Sequence, residues 1–216
     1  MPRNKYPEET IKKILDVSLK LFLEKGFEQT TVLDIVDHLG GLTRGAFYHH
    51  FKSKEEVLEA IFSQDLSENH PLLKAKNAEV ANGLERVRLA MKYGLLLNIE
   101  NEQHKAITNL AISLLSNPRF LAEQLKSNHE MAELLAPMIE EGRTDGSIKP
   151  GNPNVIAELI MLLFNFWMLP NIFPGEPDVL FTRGEVTHQI FEALGCPVID
   201  EEMEEIFVRT MNTLTW

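Results

Sequence analysis

The stretch TRGAFYHHFKSKEE, residues 43–56, concentrates side chains that donate hydrogen bonds or carry positive charge. Hydroxyl, guanidinium and ammonium groups bind phosphate oxygens, and a guanidinium or an imidazole can also read the edge of a base. No acidic residue lies between Asp37 and Glu55, although the whole chain has 32 acidic and only 21 basic side chains. The chemistry of this stretch therefore points to a polyanion such as DNA.

The candidate DNA contacts divide by chemistry. Arg44 can hold either a phosphate or a guanine edge, because its guanidinium presents a planar fork of donors. His49 is the most direct candidate for a base edge, while Gly45 lets the backbone approach closely and the Ala46 methyl can touch a thymine methyl. Hydroxyl and ammonium donors near helix ends are suited to binding phosphate oxygens. The candidate phosphate-binding residues are Thr31, Thr43, Tyr48, Lys52 and Lys54.

The adjacent pair His49 and His50 also suggests a metal site. On a helix the two rings project about 100° apart, and neither has a partner ligand four residues along the chain. We therefore expect no metal and no cofactor here, and we expect His50 to be a partly buried imidazole on the inner side of the helix.

Short helices must position these side chains. Apolar spacing predicts a first helix within residues 7–30, ended by Gly26 as the C-terminal cap. Thr31 and Asp34 form a near capping box for a second helix, Thr43 caps a third that runs to about His50, and Ser53 caps a fourth. The inward stripe of the first two helices comprises Ile11, Ile14, Leu15, Ser18, Leu21, Phe22, Val32, Ile35, Val36 and Leu39.

The third helix has two distinct sides when residues 44–51 are placed at about 100° per residue. Phe47 and Phe51 point into the cluster made by the first two helices, whereas Gly45, Ala46 and His49 face outward. A helix anchored in this way, with a narrow outer face, has the shape that a major groove accepts. The pattern predicts a helix-turn-helix; the alternative is a small helical hairpin whose polar face is only solvated.

Beyond residue 63 the readable segments are helical, so the expected fold is all-α. We predict a helix-turn-helix domain at residues 1–62 and a larger domain at residues 63–216 for effector binding and dimerisation. The first holds 9 basic and 10 acidic side chains, a net charge of −1, which leaves −10 for the second. Pro137 is predicted to kink its helix, and residues 144–153 and 170–178 are predicted to be loops.

Composition excludes several classes of protein. The apolar content of 44% is ample for a packed core, and the longest uninterrupted apolar run is six residues, far below a membrane span. The first ten residues lack the architecture of a signal peptide, so we expect a cytoplasmic protein. The single cysteine, Cys196, excludes an internal disulfide, and a small buried residue is a simpler interpretation than a redox sensor.

Residues 14–61 resemble the TetR family of transcriptional repressors, because Gly-Phe, Thr-Thr-Val, Thr-Arg-Gly, Tyr-x-x-Phe and Lys-Ser-Lys-Glu occur in family order. The resemblance implies an all-helical homodimer that binds DNA through its N-terminal domain and an effector through the other. Carried over by position, it implies DNA contacts at Thr31, Thr43, Arg44, Gly45, Tyr48, His49 and Lys54. One departure is Gly40-Gly41, where a single turn glycine is typical; the insertion can shift the angle of the reading helix.

The resemblance also implies that the segments at residues 152–169 and 186–195 pair across the dimer as a four-helix bundle. Asn165 interrupts an apolar run and must find a partner, either across the dimer or on a ligand. Acidic clusters at 100–102, 140–141 and 201–205 are expected to be solvated, with a cation pocket as the alternative. Effector-lining candidates, which can equally be plain core, are Met91, Tyr93, Met138, Phe164, Asn165, Trp167 and Met168.

The sequence thus predicts a sequence-specific DNA-binding regulator, a repressor released from its operator by a small molecule, with activation as the other sign of regulation. The partners expected are double-stranded DNA, a second copy of the chain and an effector, but no membrane. The alternative is a helical ligand-binding protein or enzyme with an incidental N-terminal hairpin, although no nucleophile, phosphate-loop or metal motif supports an enzyme. A nonspecific architectural DNA binder is disfavoured by the acidity of the chain.

Overall fold

The computed structural model describes residues 7–149, 151–169 and 172–211. Within these ranges all regular secondary structure is helical, which confirms the all-α fold. The chain divides into two compact units between Glu68 and Asn69. The boundary predicted after residue 62 falls inside a helix, Lys54–Asn69.

The described part of the first unit contains four helices, and their bounds follow the predicted caps closely. Phe22, Ile35, Leu39 and Phe47 are each at most 1% exposed and form the core of this unit, as their spacing predicts. Gly26 ends the first helix with a φ of 88°, a left-handed conformation that glycine adopts without strain. The helices are α1 (Pro7–Lys25), α2 (Val32–His38), α3 (Arg44–His50) and α4 (Lys54–Asn69).

The second unit contains the remaining helices. They are α5 (Pro71–Lys76), α6 (Gly83–Glu100), α7 (Glu102–Leu114), α8 (Pro118–Asp145), α9 (Pro153–Leu162), a π-helical turn π1 (Leu163–Trp167), α10 (Pro177–Ala193) and α11 (Glu201–Met211). Asparagine-proline pairs begin α8 and α9, where Asn117 and Asn152 cap the helices by accepting hydrogen bonds from the first-turn backbone. α8 extends past Pro137 as one helix, although Pro137 has no N–H to donate to the carbonyl of Glu133.

Two helices of this unit, α5 and α11, were not expected from the sequence. α11 begins in the acidic run at residues 201–205, which we interpreted as a solvated face, with a cation pocket as the alternative. Those glutamates occupy the favourable N-terminal end of the helix, while Met203 and Ile206 behind them are 1% and 4% exposed. The signal was present in the spacing of Met203, Ile206 and Thr210, but the charges around it concealed the stripe.

A single apolar cluster forms the core of the second unit and draws on α5, α6, α8, α9, α10 and α11. Cys196 lies in this cluster at 0% exposure, and burial raises the pKa of its thiol to about 11. The thiol is therefore protonated at neutral pH, which agrees with its interpretation as a small core residue. No helix in the described ranges is both long and apolar enough to cross a membrane.

Candidate nucleic-acid interface

The third helix presents the two sides that its sequence predicts. Phe47 and Phe51 are 0% and 8% exposed, and their ring centroids lie 6.2 Å apart. Gly45 and His49 are exposed on the opposite side, and Ala46 is half-buried. The two aromatic rings therefore fix α3 to the first unit and leave its Gly-Ala-His side open.

The N-terminus of α3 is fixed by its own cap. The Thr43 hydroxyl oxygen accepts from the backbone N–H of Ala46 at 3.2 Å, so its hydroxyl hydrogen can still be donated outward. Arg44 lies beside Tyr48, with its guanidinium carbon 5.6 Å from the ring centroid. Both side chains are exposed, and the contact places a cation and a phenol together at the edge of the open side.

The preceding helix, α2, is held by a complete capping box. The Thr31 hydroxyl accepts from the Asp34 N–H at 3.1 Å and donates to the Asp34 carboxylate at 2.6 Å. Lys25 pairs with the same carboxylate at 2.8 Å, and this bond, together with those from Thr31, lowers the pKa of Asp34 well below its usual range. Because the Thr31 hydroxyl hydrogen is used inside the chain, its predicted phosphate contact would have to replace that bond.

The two lysines after α3 have different surroundings. Lys54 donates to the Phe27 carbonyl at 2.7 Å and to the Glu28 carbonyl at 3.2 Å, and its ammonium lies 4.4 Å from the centroid of the Phe27 ring. Two of its three N–H groups are thus used inside the chain, and a phosphate would have to use the third. The Lys52 side chain is 90% exposed, with its ammonium 3.7 Å from the Glu56 carboxylate.

The turn between α2 and α3 shows how the additional glycine is accommodated. Gly40 and Gly41 have φ values of 59° and 101°, so both adopt conformations that other residues rarely take. Leu39 closes α2 and is fully buried, and Thr43 begins the next helix. The extra residue is therefore absorbed by two consecutive left-handed positions in an exposed turn.

The histidines of α3 are arranged face to edge, with ring centroids 5.1 Å apart. His50 is half-buried, as predicted, and burial followed by repulsion from His49 lowers its pKa. In the described ranges no group of three or more His, Cys, Asp or Glu side chains is placed to hold a metal ion. The His49 ring is exposed and can donate or accept a hydrogen bond.

The predicted effector-lining residues all lie in the second unit but differ in exposure. Met91, Met138 and Met168 are at most 8% exposed, whereas Tyr93, Phe164 and Trp167 are half-buried. Met91 and Met138 belong to the core cluster, and Tyr93 and Phe164 pack against it. The half-buried aromatics are therefore better placed to meet a ligand than the methionines.

Asn165 finds its partner within the chain, and this outcome was not among the alternatives considered. Its amide nitrogen donates to the Asn128 side-chain oxygen at 2.9 Å. The partner could not be identified from the sequence because 37 residues separate the two amides. The sequence shows only that Asn128 lies within a segment of helical spacing. The structure shows that its side chain is 7% exposed and therefore needs a partner.

Comparison with known proteins gives one consistent result. Residues 14–61 match the family described as bacterial regulatory proteins, tetR family. The chain is 34% identical over 144 residues to the HTH-type transcriptional repressor KstR2 of Rhodococcus jostii (strain RHA1). The aligned region covers 63% of this chain and 67% of that relative.

Solved structures agree on the fold. A TetR-family transcriptional regulator from Pectobacterium atrosepticum superposes with a TM-score of 0.61 at 22% identity, covering 89% of this chain and 97% of the other. A complex of SmeT with triclosan superposes with a TM-score of 0.64 at 21% identity, covering 95% of this chain and 91% of the other. At these identities the likeness concerns the fold alone.

Proposed function

The chain belongs to the TetR family of bacterial transcriptional regulators, and from this premise we propose that two copies bind one operator and leave it when a small effector binds. Membership of a family of regulators decides against the alternative of a helical enzyme with an incidental N-terminal hairpin. A bacterial regulator of transcription would act in the cytoplasm, where the DNA is. We infer repression rather than activation because the relatives from Rhodococcus jostii and Mycobacterium tuberculosis are named repressors.

The open side of α3 carries the proposal. Its Gly45, Ala46 and His49 positions face away from a rigidly packed pair of phenylalanines, and cationic and hydroxyl groups border them. A protein surface that is narrow in the middle and basic at its edges fits a major groove flanked by two phosphate strands. A surface that is only solvated has no reason to exclude acidic residues, whereas a surface that binds DNA does. The absence of Asp and Glu between Asp37 and Glu55 therefore favours DNA binding.

We assign roles to the border residues by their free donors. Thr43, Tyr48 and Lys52 are exposed and can grip phosphates, which sets the position of α3 without reading sequence. Lys54 contributes the one N–H that its two carbonyl partners leave. Arg44 and His49 are the side chains proposed to meet base edges, and their loss should relax specificity.

We infer that the protein is released from its operator when the distance between the two reading helices changes. In a symmetric dimer they would enter successive major grooves, about 34–36 Å apart along one face of the duplex. An effector that binds more tightly to a dimer with another separation weakens operator binding by its difference in affinity for the two states, typically about 1–3 kcal/mol.

Selection of bound sites from random DNA with the full-length protein tests the proposal. We expect an enriched inverted repeat whose half-sites are about one helical turn apart. On that site Arg44→Ala and His49→Ala should each cost about 1–3 kcal/mol in binding free energy, with a smaller effect on unrelated DNA. Lys20→Ala is the control, because its side chain is 72% exposed on α1. Enrichment of no motif, or equal losses for all three variants, contradicts the proposal.

A further inference from the structure

The turn between α2 and α3 lies beside a lysine ammonium from another helix of the first unit. Lys13 is exposed on α1, and its Nζ lies 3.9 Å from the point that a Cβ on Gly40 would occupy. Gly40 and Gly41, the two left-handed glycines of the turn, are exposed as well. A positive charge therefore lies beside backbone that no side chain covers, and we call Lys13, Gly40 and Gly41 the turn site.

The Lys13 ammonium is not neutralised by an acidic side chain in the described part of the chain. Glu9, four residues before it, and Asp16, three residues after it, are at the spacings that form ion pairs along a helix. Lys13 pairs with neither of them. The ion pairs in the described part of the first unit are Lys20–Glu24, Lys25–Asp34 and Lys52–Glu56.

The turn also offers backbone donors. Leu39 is right-handed, with a φ of −80° and a ψ of −2°, and Gly40 after it is left-handed, with a φ of 59°. Such a pair turns successive N–H groups toward a common side and forms a concave surface that binds anions. The Leu39 N–H donates to the Val36 carbonyl at 3.1 Å. Within the described ranges the N–H groups of Gly40 and Gly41 make no hydrogen bond, so both are available to an anion.

The charges around the turn decide whether it attracts an anion. The turn follows the carbonyl end of α2, where the helix dipole places up to about half a negative charge. The Lys13 ammonium carries a full positive charge and outweighs that contribution. No acidic residue lies between Asp37 and Glu55, an interval that includes the whole turn. The turn site therefore attracts an anion while Lys13 is present and loses that attraction without it.

We propose that the turn site binds one phosphate of the DNA backbone and that Lys13 is a positioning residue for the reading helix. Only Leu42 and Thr43 separate the turn from α3, so a phosphate held there fixes the N-terminal end of that helix against one strand. The ammonium supplies the charge, and the two glycine N–H groups supply direction. The inference rests on the proposed function only in taking DNA as the source of the phosphate.

Lys13→Met in the full-length protein tests the ammonium, with Lys12→Met as the matched control. Lys12 is also exposed on α1 but projects about 100° away around the helix. Lys13→Met should lower affinity about tenfold for each bound copy, on the selected operator and on unrelated duplex alike, because a phosphate contact carries no sequence information. It should also flatten the logarithmic dependence of affinity on salt by about 0.9 for each copy. Lys12→Met should leave both quantities near their wild-type values.

Neutral methylphosphonate groups, placed one at a time in the operator, locate the phosphate. At one position in each half-site the replacement should weaken wild-type binding about tenfold and leave binding by Lys13→Met unchanged, because both changes remove the same contact. Nuclear magnetic resonance of protein labelled with ¹⁵N-glycine tests the backbone donors. The amide protons of Gly40 and Gly41 should shift when the unmodified duplex is added, and should shift less with that methylphosphonate.

The results separate this inference from the proposed function. A wild-type salt dependence for Lys13→Met, or equal losses for Lys12→Met and Lys13→Met, would overturn it. So would a lower midpoint of urea unfolding for Lys13→Met with unchanged DNA binding, because Lys13 would then only stabilise the end of α2. If site selection enriches no motif but Lys13→Met still flattens the salt dependence on unrelated duplex, the proposed function fails and this inference stands.

Discussion

At the scale of single residues, the local environment decides which of the two candidate phosphate-binding lysines also stabilises the fold. The Lys54 ammonium is bonded to two carbonyls in the turn after α1, whereas Lys52 lies almost entirely in solvent beside Glu56. A lysine that joins two elements and a lysine that only extends from the surface should respond differently to the same substitution.

We expect Lys54→Met to lower the free energy of unfolding by about 1–2 kcal/mol, because two carbonyls lose a charged donor. Lys52→Met should leave stability unchanged. Each substitution should flatten the logarithmic dependence of operator affinity on salt by about 0.9 if its ammonium reaches one phosphate. Urea unfolding and binding at several salt concentrations measure both effects. An unchanged stability for Lys54→Met would mean that the carbonyl bonds contribute little, and an unchanged slope would remove that lysine from the interface.

Gly45 offers a second test at this scale, because the fold itself has no need of a glycine there. A Cβ at this position would come no closer than 3.8 Å to the Thr43 hydroxyl, and its φ is not positive. Gly45→Ala should therefore preserve or slightly raise stability, by up to about 1 kcal/mol, while the added methyl group lowers operator affinity at least about tenfold.

Gly151→Ala is the matched control for that substitution, since a Cβ at Gly151 meets no atom within 4 Å. Mobility shifts on the selected operator and urea unfolding give the two quantities. If Gly45→Ala bound DNA as the wild-type protein does, close approach of the backbone to the duplex at this position would be refuted.

At the scale of elements, the capping of α2 links the reading unit to pH. Bonds from Lys25 and Thr31 hold the pKa of Asp34 below its ordinary value, so the folded state binds this proton less readily than the unfolded state. The carboxylate therefore contributes stability above its unfolded pKa of about 3.9, and that contribution is lost as the pH falls below it.

Asp34→Asn should consequently destabilise the protein at neutral pH, with a difference from wild type that narrows as the pH falls below about 4. Urea unfolding of the full chain between pH 3 and pH 7 measures this difference. Asp37→Asn, exposed on the same helix, is the control. A gap between wild type and Asp34→Asn that stays constant over this range would show that the ion pair with Lys25 is not the source of the stabilisation.

The elements also show where sequence reasoning succeeds and where it stops. The caps of α2 and α3 could be predicted because Thr31 and Thr43 act on residues three positions away. The partners of Lys54 and Asn165 could not, because they lie 27 and 37 residues away and depend on how helices pack. α11 was missed although Asp200 caps it locally, accepting from the Met203 N–H at 2.8 Å, because the surrounding glutamates conceal its apolar stripe.

At the scale of the whole molecule, charge is divided between the two units. Residues 1–68 hold 9 basic and 12 acidic side chains, a net charge of −3, which leaves −8 for residues 69–216. The second unit therefore repels DNA, and the attraction is confined to the surface around α3. One small reading helix offers few contacts, and specific operators are usually bound through two symmetric half-sites. Tight binding by this chain is therefore expected to require a second copy.

The exposed apolar side chains of α9 and α10 are the proposed contact between copies. Val155 and Phe181 are 58% and 52% exposed, more than large apolar residues usually are on the surface of a monomer. Phe181→Asp should convert the dimer to a monomer at micromolar concentration, because an unpaired carboxylate would be buried in the contact.

Affinity for the full inverted repeat should then fall at least about 100-fold, because each half-site loses the effective concentration that a linked partner supplies, while affinity for an isolated half-site stays at the wild-type value. Leu125→Asp is the control, since Leu125 is 46% exposed on α8, outside the proposed contact. Sedimentation equilibrium and binding to full and half operators measure the two effects. A Phe181→Asp protein that remains dimeric with wild-type affinity would move the contact to another surface, whereas a monomer that binds the full repeat tightly would mean that one reading helix suffices.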